Sequence, residues 1–130
     1  KLLTKVYYKI FAAKMEENKK QVVNFLKQAK KEGKKTWVYG ASTKGNVIAQ
    51  WYGLDNTKIV AAVDKSQEKW GKYMIGSNIP IVSEEEFRKA NPGYALVLPY
   101  AFLPEFIERE QEWRNKGGKF LVPLPEFKVV

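Results

Sequence analysis

Apolar residues in the first quarter of the chain recur at helical spacing. Residues 2–32 therefore predict helix. The apolar positions are Val6, Tyr7, Ile10, Phe11, Ala13, Met15, Val22, Leu26 and Ala29. Polar residues 16–21 interrupt them, so the pattern fits one long helix or two shorter helices. Gly33 marks the end of this helical region, because glycine commonly follows the last helical turn.

Four apolar runs further along have the length and composition of buried strands. They cover residues 36–39, 59–63, 94–98 and 119–122. The second run is apolar throughout, which predicts a strand buried on both faces of a parallel sheet.

Three helical patterns alternate with these strands, over residues 46–52, 84–91 and 104–116. The apolar residues of the first helix, which we expect to be buried, are Val47, Ile48 and Trp51. Ser83 and Glu86 form a capping box at the start of the second helix. The alternation predicts an α/β fold, a Rossmann-like three-layer sandwich with a mostly parallel sheet.

This reading divides the chain into two parts. Residues 1–34 form an N-terminal helical arm, and residues 35–130 form a Rossmann-like substrate-binding domain. The net charge of +9 is concentrated in the arm, since residues 1–35 contain eleven lysines against three glutamates. A nucleic-acid-binding face would more often interleave basic and aromatic residues across the folded body, so we expect no nucleic-acid partner.

Composition removes several kinds of chemistry. The 130 residues include no cysteine and no histidine, which excludes disulfides, thiolate catalysis and histidine-based triads within this chain. We expect no metal here. No run approaches the roughly 20 apolar residues of a membrane span, so we expect no membrane partner. The missing cysteines fit a cytoplasmic location, and Lys1 in place of methionine suggests a piece of a longer polypeptide.

The stretch YGASTKGN, residues 39–46, holds the candidate chemistry. It follows the first strand, where a parallel α/β sheet places its ligands. Ser42 occupies the middle glycine position of a G-x-G-x-x-G pattern, which would hinder the close approach of a dinucleotide. Lys44 precedes Gly45 at a spacing too short for a P-loop. A helix N-terminus with hydroxyl groups and an ammonium group can still hold an anion, although Ser42 or Thr43 could also act only as a helix cap.

The same stretch carries a family resemblance. YGASTKGN, followed by GLDN, DKSQEKWGKY, GSNIPIVSEEE, LVLPY and GGKFLVPLPEFKVV, resembles the C-terminal domain of S-adenosylmethionine-dependent sugar C-methyltransferases. The resemblance covers roughly residues 36–130, and the G-A-S-T-K-G-N string is its most specific part. It implies that a separate domain in cis binds S-adenosylmethionine and carries the catalytic residues, while this domain helps to bind a nucleotide-diphosphate sugar and is not catalytic alone.

The resemblance also implies site residues. The residues expected to embrace the diphosphate are Gly40, Ser42, Thr43, Lys44 and Asn46. Asp64 and Lys65 would lie beside the nucleoside, although Asp64 could instead only begin a turn. Lys72 or Tyr73 could close over the nucleoside, and Tyr100 would contact the substrate.

One stretch departs from the family pattern. After the third strand the family commonly reads Leu-Pro-Trp-His-Phe, whereas residues 98–102 read Leu-Pro-Tyr-Ala-Phe. If that histidine contacts the substrate, Ala101 implies a different sugar or a different activity.

Two other functions remain open from the sequence. The chain could be a fragment of a nicotinamide-dependent oxidoreductase, which Ser42 argues against. It could also be a non-enzymatic nucleotide-binding or assembly domain that docks its basic helix on an acidic partner.

Overall fold

The computed structural model describes residues 2–98, 100–124 and 126–130, without the side chains of Leu2 and Tyr100. Its α-helices are α1 Leu2–Lys31, α2 Thr43–Trp51, α3 Glu84–Ala90, α4 Leu103–Arg109 and α5 Gln111–Asn115. Its strands are β1 Thr36–Tyr39, β2 Ala62–Val63, β3 Ile81–Val82, β4 Tyr94–Val97, β5 Lys119–Val122 and β6 Lys128–Val129. Short 3-10 turns cover Gln67–Lys69 and Tyr100–Phe102.

The strands form one sheet in the order β3-β2-β1-β4-β5-β6. All neighbours pair in parallel except β5 and β6, which pair antiparallel. This is the strand order of the dinucleotide-binding Rossmann fold, and it confirms the predicted mostly parallel α/β sandwich. The order reverses between β1 and β4, so the carboxyl ends of these two strands flank the switch point.

The N-terminal helix is a single element, and only its second half packs on the sheet. Val22, Leu26 and Ala29 are at most 5% exposed and face one side of the sheet. The side chain of Asn18 is also buried there: its amide donates to the carbonyl of Pro123 and its oxygen accepts from the Tyr52 hydroxyl. The division at residue 34 stays a prediction, although this half of α1 shares a core with the sheet.

Helix α2 begins three residues earlier than predicted. Ser42 is its N-cap, because Ser42 Oγ accepts a hydrogen bond from the Gly45 backbone N–H at 3.0 Å. The face of the helix that is buried also differs from the expectation. Val47 is 64% exposed, so its predicted burial was wrong, while Gly45 and Ala49 are the buried residues of the helix.

The predicted second strand is shorter than its apolar run. Only Ala62–Val63 is strand, and Val60, expected to be buried, is 42% exposed. The edge strands β3 and β6 were not predicted. Each has two residues, which is too short for a periodic pattern to stand out in the sequence.

The last predicted helix is interrupted at Glu110. Helices α4 and α5 flank this residue, which is 2% exposed and turns its carboxylate into the protein. The cap of α3 was predicted correctly, since Ser83 Oγ accepts from the Glu86 N–H at 3.2 Å. Asn91, in the left-handed conformation, ends that helix just before Pro92.

Burial of Tyr52 predicts a loss of stability in alkaline solution. Its ring is 1% exposed, and burial raises the pKa of its hydroxyl group to about 12. Below the unfolded pKa of 10.0 the residue is neutral in both states. Between pH 10 and 12 only the unfolded chain ionises at this position, so the free energy of unfolding should fall by on the order of 2–3 kcal/mol. Chemical denaturation across this range should show a smaller fall for Tyr52→Phe; an equal fall would contradict the assignment.

Candidate functional site

A pocket of about 180 Å³ opens at the carboxyl edge of the sheet, beside the switch point. It is lined by residues from β1 and the loop after it, β2 and its following turn, α3, and α4 with the segment leading into it. The lining residues are Tyr39, Gly40, Ala41, Ser42, Val63, Asp64, Lys65, Lys69, Glu84, Phe102, Glu105, Phe106 and Arg109. Ligands of open α/β sheets bind at this position in the fold.

The loop between β1 and α2 forms one wall of the pocket. Gly40 has a φ of +97°, a conformation that residues with a Cβ rarely adopt, and its N–H donates to the carbonyl of Val63 at 2.8 Å. The N–H groups of Thr43 and Lys44 are at the first two helical positions, where no carbonyl within the helix can accept from them. The wall therefore ends in the positive end of the α2 dipole.

Asp64 and Lys69 hold this loop in place. Asp64 Oδ2 accepts from the Ala41 N–H at 3.2 Å, and Asp64 Oδ1 accepts from the Ser66 N–H at 2.8 Å. Lys69 Nζ donates to the carbonyl of Ala41 at 3.1 Å and lies 3.4 Å from Asp64 Oδ2. The Asp64 carboxylate, expected beside the nucleoside, therefore already has three protein partners. Asp64 also begins a turn.

A network of charged side chains lies beneath the opposite wall. The Arg109 guanidinium binds Glu84 at 2.8 Å and Glu105 at 2.5 Å. The Tyr39 hydroxyl donates to Glu110 Oε2 at 2.6 Å, and Glu110 receives two further hydrogen bonds from Arg88. Burial, followed by the hydrogen bond to Glu110, raises the pKa of Tyr39 far above its usual range, so this hydroxyl remains protonated.

The remaining wall is aromatic. Phe102 is 54% exposed and stacks on Phe106, with ring centroids 6.2 Å apart. The Arg109 guanidinium lies 5.7 Å from the centroid of Phe106. The pocket consequently combines an aromatic surface, which suits a ligand with a ring, with charged side chains of both signs.

The structure brings together some of the residues predicted for the site. Gly40, Ser42, Asp64 and Lys65 line the pocket. The other three predicted residues, Thr43, Lys44 and Asn46, lie beside the pocket in the first turn of α2. Thr43 and Lys44 are exposed. The Oδ1 atom of Asn46 is buried and accepts no hydrogen bond from the described residues. These roles stay predictions.

Two predicted residues lie apart from these. Lys72 and Tyr73 belong to the segment leading to β3, where Tyr73 pairs with Pro80 and is 62% exposed. Neither residue lines the pocket. The side chain of Tyr100 lies outside the described part of the structure. Ala101 is exposed in the 3-10 turn after β4.

Sequence reasoning missed the wall formed by Glu84, Phe102, Glu105 and Arg109. Glu105 and Arg109 have the i,i+4 spacing of a helical ion pair, which was a detectable signal. The Glu84–Arg109 pair joins two helices, and its two residues are 25 positions apart in sequence, so no local pattern indicates the pair. The described residues contain no cluster of acidic side chains suited to a metal ion.

Fold and pocket together define an α/β domain of Rossmann type, with a candidate site at the switch point. The sequence then matches the C-methyltransferase C-terminal domain over residues 1–125, and the chain belongs to that family. It is similar to the C-methyltransferase NovU of Streptomyces niveus, with 36% identity over 123 residues.

The aligned part is 95% of this chain but only 29% of the Streptomyces protein. The chain therefore spans less than a third of the length of the curated relative it matches. None of the described helices has the length and hydropathy of a membrane span.

Proposed function

We propose that this domain holds a nucleotide-diphosphate sugar for C-methylation by a separate S-adenosylmethionine-binding domain of the same polypeptide. The diphosphate would bind at the start of α2, and the nucleoside would lie toward Lys65 and the aromatic wall. S-adenosylmethionine would supply the methyl group from the other domain. The acceptor would be a carbon next to a ketone, from which a proton can be removed.

The observation that carries this proposal is the wall formed by the β1–α2 loop. Ser42, the N-cap of α2, lines the pocket, and Lys44 is exposed in the first turn of that helix. Backbone donors, the helix dipole and an ammonium group together favour a phosphate group. Clamping by Asp64 and Lys69 fixes the loop before the ligand arrives, which lowers the entropic cost of binding.

The position of Ser42 favours this function over a nicotinamide-dependent oxidoreductase. Its hydroxyl lies 3.0 Å from the Gly45 N–H, so it occupies the place where a pyrophosphate approaches the middle glycine of a dinucleotide loop. The diphosphate of a nucleotide sugar would instead contact the outer part of the turn, near Thr43 and Lys44.

Removing the Lys44 ammonium should weaken diphosphate binding. For Lys44→Ala we expect the Kd for thymidine diphosphate or uridine diphosphate, measured by titration calorimetry, to rise about five- to tenfold, which is roughly 1–1.4 kcal/mol. The reason is the loss of one charge-assisted contact at an exposed helix terminus. The preferred base would identify the nucleotide.

A matched control is Lys89→Ala. Lys89 is an exposed lysine in the last turn of α3, toward the opposite edge of the sheet. Its replacement should leave the Kd unchanged. An equal loss in both variants would mean general charge attraction, and binding of nicotinamide dinucleotide in place of nucleoside diphosphates would favour the oxidoreductase.

A further inference from the structure

The first half of α1 projects beyond the body of the domain. At its carboxyl end the helix lies near the amino edge of the sheet, where Lys30 binds the carbonyl of Thr57. At Asn18 it has reached the carboxyl edge, since Asn18 binds the carbonyl of Pro123 directly after β5. Residues 2–14 continue for roughly 20 Å past that point. The helix therefore extends from the same edge at which the pocket opens.

The projecting half keeps the apolar character of the packed half. Phe11 and Tyr7 continue the helical face of Asn18, Val22 and Ala29 at spacings of four and seven residues. The described large apolar side chains of this half, all between 44% and 71% exposed, are Leu3, Val6, Tyr7, Tyr8, Ile10 and Phe11. We define these six residues as the α1 apolar surface.

The α1 apolar surface is too large for an ordinary solvated helix. The three aromatic rings alone expose on the order of 400 Å², and single-domain monomers seldom expose a larger continuous patch. Residues 1–15 also contain four lysines and no acidic residue. A partner for this surface would therefore need an apolar groove bordered by carboxylates.

We propose that the α1 apolar surface is the docking site for the S-adenosylmethionine-binding domain. This inference rests on the proposed function, which requires a methyl donor to face the carboxyl edge of the sheet. A helix that projects from that edge can hold a second domain over the pocket. The family match begins at residue 1, so it includes the projecting half of α1.

Hydrogen exchange tests this proposal on two forms of the protein, the 130-residue chain and the complete polypeptide that its gene encodes. We expect amides of residues 3–14 to exchange at least tenfold more slowly in the complete polypeptide, because fraying of the helix is suppressed when its apolar face is covered. Tyr7→Gln with Phe11→Gln should remove this protection. The matched control, Lys9→Gln with Glu16→Gln, changes exposed positions on the other side of the helix without altering the net charge, and it should retain the protection.

Three results would overturn the proposal. Equal exchange in the two forms would mean that no further domain covers the surface. If the protection of the isolated chain increased with its concentration and sedimentation showed dimers, the surface would be assigned to a second copy. Protection that requires anionic phospholipid vesicles would assign it to a membrane.

Nucleoside diphosphate binding by the isolated chain separates this proposal from the proposed function. The Tyr7→Gln, Phe11→Gln variant should bind thymidine diphosphate as tightly as the unchanged chain, since the altered side chains lie outside the pocket. If the chain bound no nucleotide but residues 3–14 were still protected in the complete polypeptide, the proposed substrate role would be contradicted. The docking proposal would stand.

Discussion

Replacing Arg88 with methionine is expected to lower the free energy of unfolding by about 3 kcal/mol or more. Arg88 donates two hydrogen bonds to Glu110, at 2.9 and 2.8 Å, and the Glu110 side chain is only 1% exposed. Removal of the guanidinium leaves a buried carboxylate with a single protein donor, the Tyr39 hydroxyl. Loss of the partner of a buried carboxylate is costly because its charge is then balanced neither by water nor by an opposite charge.

The cost should depend on which partner is removed. The Arg88 side chain is 47% exposed, so in Glu110→Leu it can turn into solvent. In the same variant the Tyr39 hydroxyl still lies 3.2 Å from Glu84. We therefore expect Glu110→Leu to be less destabilising than Arg88→Met, and the double variant to recover much of the loss.

Denaturant titrations of the three variants measure this difference. Lys89→Met is the matched control, because Lys89 is the next residue of α3 and is exposed; its effect should stay within about 0.5 kcal/mol. A double variant as unstable as the sum of both single variants would show that the two side chains do not act as a pair.

The second large effect is expected for Gly118→Ala. A Cβ at Gly118 would overlap Cε2 of Trp113 and lie 2.5 Å from its Nε1. The indole ring has little room to move, since it packs on Phe87 and Phe120 with centroids 5.0 and 4.9 Å away. We expect a loss of about 3 kcal/mol, and a fall in Tm of roughly 10–15 °C.

Gly117→Ala provides the contrast for this substitution. Gly117 has a φ of +103°, but a Cβ there meets no atom within 4 Å. Its cost is therefore backbone strain of about 1–2 kcal/mol without a clash. Gly118→Ala combined with Trp113→Leu should be more stable than the sum of the single effects, because leucine makes room for the new methyl group. Strict additivity in thermal unfolding would contradict the predicted clash.

The substitutions at the Arg88–Glu110 pair and at Gly118 both affect the side of the pocket opposite the β1–α2 loop. The Arg88–Glu110 pair supports Tyr39, and Trp113 packs in the same core as Tyr39 and Phe106. Binding of nucleoside diphosphate should consequently weaken in any of these variants that still folds. Lys44→Ala, by contrast, changes binding without a comparable loss of stability.

Local patterns in the sequence were sufficient for the fold class and for several helix termini. The apolar runs identified β1, β4 and β5, and Ser83 identified the start of α3, because strand burial and helix capping depend on residues close together in the chain. The loop at residues 39–46 was recognisable for the same reason. The resemblance it carried led to the family that the comparison with known proteins confirms.

The tertiary structure decided which side chains meet at the carboxyl edge. Tyr39, Glu84 and Arg109 come from three separate elements, and only the order of the strands brings them together. It also gave Asp64 its contacts with the loop, and it left the apolar surface of α1 uncovered. Periodicity records that a face is apolar, but the position of the helix relative to the sheet determines whether that face is buried.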